Sequence, residues 1–329
     1  MTLNNNFRLM LLKSIPLILF LFVFILFGFS AKNWFTIVNA ENILRQSSYI
    51  GILATGMTFV LLTGGVDLSI GANMFLSGSI AGLLMSSGVP IWGGLCICLI
   101  VGIIFGFINA FFIVKLKVLP FVVTLATMTA GRGLTLIITK SAAVDLPPIL
   151  ISGLGSGRFL GISYSIYFFI IIIVISALIL KYTPWGRQIY AVGHDSDTAK
   201  KAGIKTQQIL AFVYIFNGFL AALATIVSIS QIGNINAGFG SGIEFSAISA
   251  SVLGGTSMAG GVGTIFPGAF IGTLLVQMVE AGLVYLQVDL YVQPLVSAIV
   301  ILLAVFLDSI RTRFIRRLEK RNIRIEEAG

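Results

Sequence analysis

Residues 61–72 read LLTGGVDLSIGA, and they interrupt a run that is otherwise apolar from Ile50 to Met85. Glycine weakens a helix, and a carboxylate is costly in the hydrocarbon of a bilayer. The stretch therefore predicts that a membrane helix is broken here. Its polar groups are then expected to face the protein interior or an aqueous path. The residues concerned are Gly64, Gly65, Asp67, Ser69 and Gly71.

The carboxylate of Asp67 has two interpretations. Buried acids serve ion-driven carriers and proton relays, which often use several of them. An acid near a helix N-terminus can instead cap the helix that follows it. Besides Asp67, the acids in the interior of the apolar segments are Glu244 and Glu280. We therefore favour the capping role.

The composition predicts an all-α, polytopic membrane protein. Of the 329 residues, 57% are hydrophobic and only 10% are charged, and the mean hydropathy is +1.03. Soluble domains usually carry about a quarter charged residues. No polar stretch is long enough for a soluble domain, so residues 1–329 are expected to form one transmembrane domain.

The chemistry of an enzyme is not indicated by the sequence. His194 is the only histidine, and the two cysteines, Cys96 and Cys98, point to different sides of a helix, so a metal site is not expected. A phosphate-binding loop with a Gly-Lys-Ser/Thr ending does not occur in the chain. We therefore expect no cofactor, no catalytic residue and no nucleotide site in this chain.

Apolar segments of about 20 residues are candidates for membrane spans. The chain holds ten of them, at 14–30, 46–63, 68–87, 91–114, 118–138, 162–180, 209–231, 243–259, 262–286 and 291–308. Glycine clusters divide the pairs at 46–87 and 243–286, so each pair either spans twice or is re-entrant.

The net charge is +9, and the distribution of the basic residues along the chain tests the number of membrane spans. Basic residues concentrate in cytoplasmic loops of membrane proteins. With both termini in the cytoplasm, most of the 21 Lys and Arg residues fall on that side. The charge thus indicates membrane topology and not a nucleic-acid partner. The basic tail from Arg311 to Arg324 is expected to contact anionic lipid.

The glycines also indicate an internal repeat. An offset of 190 residues aligns Gly64 with Gly254 and Gly65 with Gly255, and it aligns three further pairs: Gly71 with Gly261, Gly78 with Gly268 and Gly82 with Gly272. The repeat-like segments cover about 46–140 and 236–310. Close helix packing also uses glycine, so the pattern alone leaves that alternative open. Transporters often place the substrate path at a repeat interface with broken helices.

The inner loop at 181–208 predicts a short helix. Candidate N-cap residues lie in the run His194-Asp195-Ser196-Asp197, and Gly203 is well placed to end the helix. Small and basic side chains follow at Ala199, Lys200 and Ala202. Physical reasoning alone leaves two roles equally open: a solvated basic loop and a helix that docks into another protein.

Three long motifs identify a family resemblance. They are GMTFVLLTGGVDLSIGA, GRQIYAVGHDSDTAKKAGI and SASVLGGTSMAGGVGTIFPGAFIG. They resemble those of the ribose-type ABC sugar-import permeases, in the same order and over about residues 35–308. The resemblance implies a bacterial inner-membrane subunit that works with a second permease, often an identical copy. A periplasmic or lipid-anchored sugar-binding protein would deliver the substrate, and a cytoplasmic ATPase would bind ATP and Mg.

The resemblance also implies roles for particular residues. The loop at 195–203 resembles a coupling helix that docks into the ATPase, comprising Asp195, Ser196, Asp197, Ala199, Lys200, Ala202 and Gly203. We expect the glycine-rich breaks to shape the translocation path or its hinge. In the second break these residues are Gly254, Gly255, Thr256, Ser257 and Gly261.

Two functional alternatives follow from these observations. The first is the membrane subunit of an importer for a monosaccharide, for which we expect ribose or another pentose. The second is an ion-driven secondary carrier for a small polar solute, which would also contain repeats and broken helices.

Overall fold

A computed structural model describes residues 15–30 and 34–289, and residues 292, 295, 296, 298, 299, 302 and 306. The tenth expected span at 291–308 therefore falls largely outside the described residues. The basic tail and both termini lie outside them as well.

The described chain is mostly helical, as the composition predicts. Its helices are α1 (Ile15–Ser30), α2 (Ile37–Leu62), α3 (Ile70–Ser86), α4 (Ile91–Ala110), α5 (Pro120–Thr139), α6 (Tyr164–Tyr182), α7 (Pro184–His194), α8 (Ser196–Lys201), α9 (Thr206–Ile232), α10 (Ile243–Leu253) and α11 (Phe270–Tyr285). A single π-helical turn extends α4 over Phe111–Lys115, and another precedes α11 at Ile265–Ala269. A shorter helical turn, Pro148–Leu150, runs into a π-helical turn at Ile151–Gly155.

Two pairs of very short strands are the exception to the all-α expectation. β1 (Val144–Asp145) pairs antiparallel with β4 (Asn234–Ile235), and β2 (Arg158–Phe159) pairs antiparallel with β3 (Ile162–Ser163). The first pair joins the segments that follow α5 and α9. The sequence pattern does not reveal these strands, because each has only two residues.

Five helical segments of the described chain are long and apolar enough to cross a bilayer. They are Ile91–Lys115, Pro120–Thr139, Tyr164–Tyr182, Thr206–Ile232 and Ile265–Tyr285. Helices α1, α3 and α10 are apolar but shorter. Every expected span up to residue 286 contains a helix, with changed limits.

The limits change most around the two divided pairs of spans. The span expected at 46–63 begins earlier, at Ile37, and the one expected at 243–259 ends earlier, at Leu253. We call residues 63–69, between α2 and α3, the first break. Residues 254–264, after α10, are the second break.

The core of the molecule forms around α2 and α3. All residues from Ile50 to Leu62 are buried, and so are most residues of α3. Helix α9 packs against both of them and most extensively against α4. The first break joins two of the most buried helices, and Gly65 and residues 67–69 within it are buried, although Gly64 at its start is exposed.

Glycine allows α4 and α9 to approach closely. A Cβ atom at Gly106 would lie 2.6 Å from the carbonyl oxygen of Tyr214, and one at Gly102 would lie 2.7 Å from that of Gly218. Such backbone contact is typical of membrane helix pairs that contain small residues. It holds the middle of α9 beside the start of α3, where Asn73 Nδ2 donates to the Gly218 carbonyl at 3.2 Å.

Candidate functional site

The first break begins where α2 ends in a left-handed glycine. Gly64 has φ +76°. Its N–H donates to Leu61 O at 2.9 Å, and the N–H of Gly65 donates to Val60 O at 3.2 Å. These two bonds are those of a Schellman motif, which satisfies the last carbonyls of a helix. The backbone therefore turns sharply away from the axis of α2.

Asp67 closes the turn that follows. Its Oδ1 accepts hydrogen bonds from the Ser69 N–H at 2.9 Å and from the Ser69 hydroxyl at 2.6 Å. Its Oδ2 accepts a bond from Asn217 Nδ2 at 2.8 Å. The N-cap residue of α3 is Ser69, so Asp67 does not cap the helix as favoured from the sequence but binds the N-cap residue from two positions earlier. The carboxylate is only 2% exposed, and hydrogen bonds make this burial tolerable.

The hydrogen bonds of Asp67 continue into two more helices. Ser69 Oγ accepts from Asn109 Nδ2 at 2.7 Å, and Asn109 Oδ1 accepts from Thr127 Oγ1 at 2.7 Å. Asn109 belongs to α4 and Thr127 to α5, whereas Asn217 belongs to α9. The first break is therefore fixed to three helices by side-chain hydrogen bonds.

The second break begins with the same helix ending as the first. Gly255 has φ +93°, and its N–H donates to Val252 O at 2.8 Å. The Thr256 N–H donates to Ser251 O at 3.0 Å, which completes a Schellman motif. Gly64 is therefore the geometric counterpart of Gly255, at an offset of 191. The sequence alignment at 190 paired Gly64 with Gly254, which has a right-handed φ of −70°.

The second break is held by backbone contacts, by the short side chain of Ser257 and by the Tyr190 hydroxyl of α7, which donates to Gly263 O at 2.8 Å. The Ser257 N–H donates to Val262 O at 2.8 Å, and Ser257 Oγ accepts from the Ala259 N–H at 3.2 Å. Met258 and Val262 are largely exposed. The second break thus reaches the surface of this chain at its tip, whereas most of the first break after Gly64 is buried.

The helices that precede the two breaks contact each other directly. Ser251 Oγ of α10 donates to Ala54 O of α2 at 2.9 Å, and Thr58 Oγ1 lies 3.1 Å from Ser251 Oγ. The two helix ends are therefore held side by side.

Both breaks meet the end of α7 at a place that we call the backbone junction, formed by Leu62, Gly193, Gly260 and Gly261. The Gly261 N–H donates to Leu62 O at 2.9 Å. A Cβ atom at Gly193 would overlap Leu62 O and lie 2.7 Å from the nitrogen of Gly261. One at Gly260 would lie 2.6 Å from Gly193 O. Side chains larger than hydrogen cannot fit at Gly193 without moving these backbones.

The loop after the backbone junction forms the short helix that the sequence predicts. The N-cap of α8 is Asp195, whose Oδ1 accepts from the N–H groups of Asp197 at 3.0 Å and Thr198 at 2.9 Å. These bonds, the one from Thr198 first, hold the pKa of Asp195 below its usual value. Gly203 ends the helix with φ +84°. Both cap residues were identified from the sequence.

The position of Ala199 differs from the expectation. Its methyl group is buried within this chain, so it is not available to press into a partner protein. The exposed residues of the predicted coupling helix are Asp195, Ser196, Asp197, Lys200, Ala202 and Gly203. A docking partner would contact these side chains.

The remaining site residues lie at separate places. Gly71 lies in the first turn of α3, against the carbonyl of Gly240. Thr256 is fully buried next to Gly263, and Gly65 approaches the hydroxyl of Tyr214. The site residues predicted from the sequence are therefore distributed over the two breaks, the start of α3, the backbone junction and α8.

Sequence reasoning missed Asn109, Asn217 and Gly193. The two asparagines are polar residues inside apolar helices, a signal that indicates a specific partner within a membrane protein. Gly193 carries no such signal, because one glycine in a loop looks like any other.

Comparison with known proteins identifies the class of the chain. Residues 39–305 match the family described as "Branched-chain amino acid transport system / permease component". The ribose import permease protein RbsC of Haemophilus influenzae is 37% identical over 281 residues, covering 84% of this chain and 87% of that protein. The ribose import permease protein RbsC of Bacillus subtilis is 39% identical over 285 residues, covering 82% and 84%.

A relative with a different name is similar over the same length. The autoinducer 2 import system permease protein LsrC of Yersinia enterocolitica is 33% identical over 290 residues, covering 88% of this chain and 80% of that protein. No solved structure matches the chain. The family match and the helical, apolar fold lead to one conclusion: this chain is a multi-pass membrane permease that belongs to the family of transport-system permease components, and it is not an enzyme.

Proposed function

We propose that the chain is the membrane-spanning permease subunit of a binding-protein-dependent ABC importer. It moves a monosaccharide, ribose or another pentose, into the cell, and a separate ATPase subunit supplies the energy. The observation that carries the proposal is the identity of 37–39% to ribose import permeases over more than four fifths of the chain.

The partners follow from the same resemblance. They are a cytoplasmic ATPase that holds ATP and Mg, a sugar-binding protein outside, and a second permease, here a second copy of this chain. The chain itself holds no cofactor in this proposal and contacts membrane lipid but no nucleic acid. It resides in the bacterial inner membrane with both termini in the cytoplasm, which places α7 and α8 on the cytoplasmic side.

The proposed architecture has ten membrane crossings and an internal repeat. The matching Schellman motifs at Gly64 and Gly255 support the repeat, because each ends a helix and begins a break. The counterpart segments remain about 46–140 and 236–310. In transporters, breaks of this kind border the substrate path.

The backbone junction offers a direct route from the ATPase to both breaks. Gly193 lies just before α8, and it contacts the end of α2 and the second break at the same time. A movement of α8 therefore shifts Leu62 and Gly261 together. We infer that ATPase closure acts on the path through this contact.

Co-purification tests the proposed function. The tagged chain is expressed with its neighbouring genes, extracted in mild detergent and analysed for bound proteins. We expect a cytoplasmic ATPase to be retained, and to be lost when Ala202→Trp places a large side chain on the exposed side of α8. Gly153→Ala is the matched control, because a Cβ atom there meets no other atom within 4 Å.

Other results would contradict the proposal. Recovery of the chain alone, with solute uptake abolished by an uncoupler while ATP is held constant, would establish the ion-driven carrier instead. Uptake of a branched-chain amino acid but not of ribose by the purified complex would overturn the substrate assignment.

A further inference from the structure

Helix α7 starts against the end of a helix that is long and apolar enough to cross a bilayer. That helix, α6, ends at Tyr182, and Thr183 alone separates it from α7. A Cβ atom at Gly186, in the first turn of α7, would overlap Leu180 O. Leu180 lies just before the end of α6, by about 3 Å along the helix axis. The first turn of α7 is therefore held at the depth where α6 leaves the bilayer.

A second membrane span lies on the other side of this turn. The Trp185 ring is 4.8 Å from the Phe212 ring, measured between their centres. Phe212 lies near the start of α9, which is also long and apolar enough to cross a bilayer. Gly186, Ile189 and Val192 form the buried side of α7, which packs on α6 and α9. The first turn of α7 thus lies between the ends of two spans.

The exposed side of this turn combines cations with aromatic rings. We call it the α7 face, and it consists of Lys181, Tyr182, Trp185 and Arg187, all of which are exposed. The Lys181 ammonium lies 5.2 Å from the centre of the Tyr182 ring. Tyr and Trp concentrate at membrane–water interfaces, where Lys and Arg place their charged ends in the headgroup region. The α7 face has both properties at the depth of that region.

The charge of the α7 face is of one sign. No Asp or Glu occurs from residue 146 to residue 194, and within the described residues neither Lys181 nor Arg187 forms a salt bridge. Helix α8 differs, because it exposes the acid Asp197 beside the base Lys200. Mixed charges suit a protein partner, whereas cations next to aromatic rings suit an anionic membrane surface.

We propose that the α7 face binds the headgroups of anionic phospholipids in the leaflet where α6 ends. Phosphate oxygens would accept hydrogen bonds from Lys181 and Arg187, and the rings of Tyr182 and Trp185 would lie among the headgroups. In the proposed orientation this is the cytoplasmic leaflet, but the inference does not depend on the substrate. Because α7 also carries Gly193, lipid held here anchors the start of the helix that reaches the backbone junction.

Photo-crosslinking of the purified full-length chain, with the proteins that co-purify with it, tests this surface. The chain is placed in phosphatidylcholine nanodiscs that contain a trace of photoactivatable phosphatidylglycerol or of photoactivatable phosphatidylcholine. Both analogues carry the same diazirine at the start of an acyl chain, so they differ only in the headgroup. A cation near an anionic surface strengthens binding about fivefold, so we expect the phosphatidylglycerol analogue to label residues 181–190 about fivefold more or better.

Variants assign the selectivity to the two cations. Lys181→Gln combined with Arg187→Gln should bring the labelling by the two analogues to the same level, whereas Lys181→Arg combined with Arg187→Lys should retain the difference. The matched control is Lys140→Gln, which neutralises an exposed lysine at the end of α5. That variant should label as the unmodified chain does. Thermal unfolding in detergent should be the same for all variants, since these side chains are exposed.

Two results would overturn the inference. Equal labelling of the unmodified chain by the two analogues would show that the α7 face does not select anionic headgroups. Absence of labelling by either analogue, with residues 181–190 instead cross-linked to the ATPase, would make the face a protein interface. Both results come from the unmodified chain, so an unstable variant does not affect them. Import of leucine in place of ribose would overturn the proposed function and leave the lipid selectivity unchanged.

Discussion

The two breaks end their preceding helices in the same way but are stabilised differently. The first break turns on Gly64 and is held by a buried carboxylate, which is bonded to side chains of neighbouring helices. The second turns on Gly255 and relies on backbone bonds, on Ser257 and on the bond that the Tyr190 hydroxyl of α7 donates to Gly263 O. Most of the first break after Gly64 is buried, and the second reaches the surface next to α7.

This difference indicates that the first break is fixed in the structure and that the second is the one able to move. Side-chain hydrogen bonds to three helices fix the first break relative to the core. The second break can shift with the loss of fewer side-chain hydrogen bonds, because most of its bonds lie within its own backbone and, among the described residues, Tyr190 of α7 is the side chain of another helix that bonds to it. The backbone junction then connects the shifting part to the fixed one. Each prediction below tests this distinction.

The largest effect is expected at the backbone junction. Gly193→Val introduces side-chain atoms where a Cβ already overlaps Leu62 O, so the two breaks must separate. We expect ribose uptake by cells to be lost, with the protein still present in the membrane. Gly133→Val is the control, because no atom lies within 4 Å of a Cβ at that position. Normal uptake by the Gly193 variant would show that the breaks are not connected there.

The next effect concerns the fixed break. Asp67→Ala removes three hydrogen bonds and leaves donors of Ser69 and Asn217 buried without a partner. A hydrogen bond contributes about 1 kcal/mol net and a buried donor left without a partner costs about 1–3 kcal/mol, so we expect a loss of roughly 3 kcal/mol in the free energy of unfolding. Thermal unfolding in detergent measures this change.

Ser257→Ala provides the comparison in the second break. It removes a single bond, to the Ala259 N–H, and should cost only about 1 kcal/mol. If the Ser257 and Asp67 variants lost equal amounts of unfolding free energy, the distinction between a fixed and a shifting break would be contradicted.

A smaller effect tests the equivalence of the two helix ends. Gly64→Ala and Gly255→Ala each place a methyl group at a positive φ. Left-handed backbone costs an L-residue about 1–2 kcal/mol. We expect both variants to lose this amount in thermal unfolding experiments. A marked loss for Gly64→Ala without one for Gly255→Ala would contradict the matching geometry.

The smallest effect is expected at α8, which links the shifting break to the proposed ATPase. Hydrogen bonds depress the pKa of Asp195 in the folded protein, so its contribution is present above the unfolded pKa and disappears as pH falls through the folded one. Amide exchange of residues 196–203 should therefore accelerate in acid below about pH 4. Asp195→Ala should accelerate this exchange at neutral pH, and Asp195→Ser, which retains a cap, should not.

Much of this arrangement could be predicted from the sequence. Glycine clusters located both breaks, and the cap residues Asp195 and Gly203 located α8, because these signals are local and chemically specific. The offset between the two helix ends was predicted as 190 residues but is 191. Where two glycines are adjacent, the sequence does not reveal which of them adopts a left-handed conformation. The burial of Ala199 and the contact at Gly193 depend on tertiary packing, which leaves no periodic trace in a single sequence.

Helix α2 has a consequence for how the protein enters the membrane. It is long enough to cross a bilayer, yet it is not among the described helices that are apolar enough to do so alone. Neighbouring helices, and not lipid, surround its second half. Its insertion is therefore expected to depend on helices made later in translation, such as α9. The most buried helix would then be the one least able to insert stably into the membrane before the rest of the chain has been synthesised.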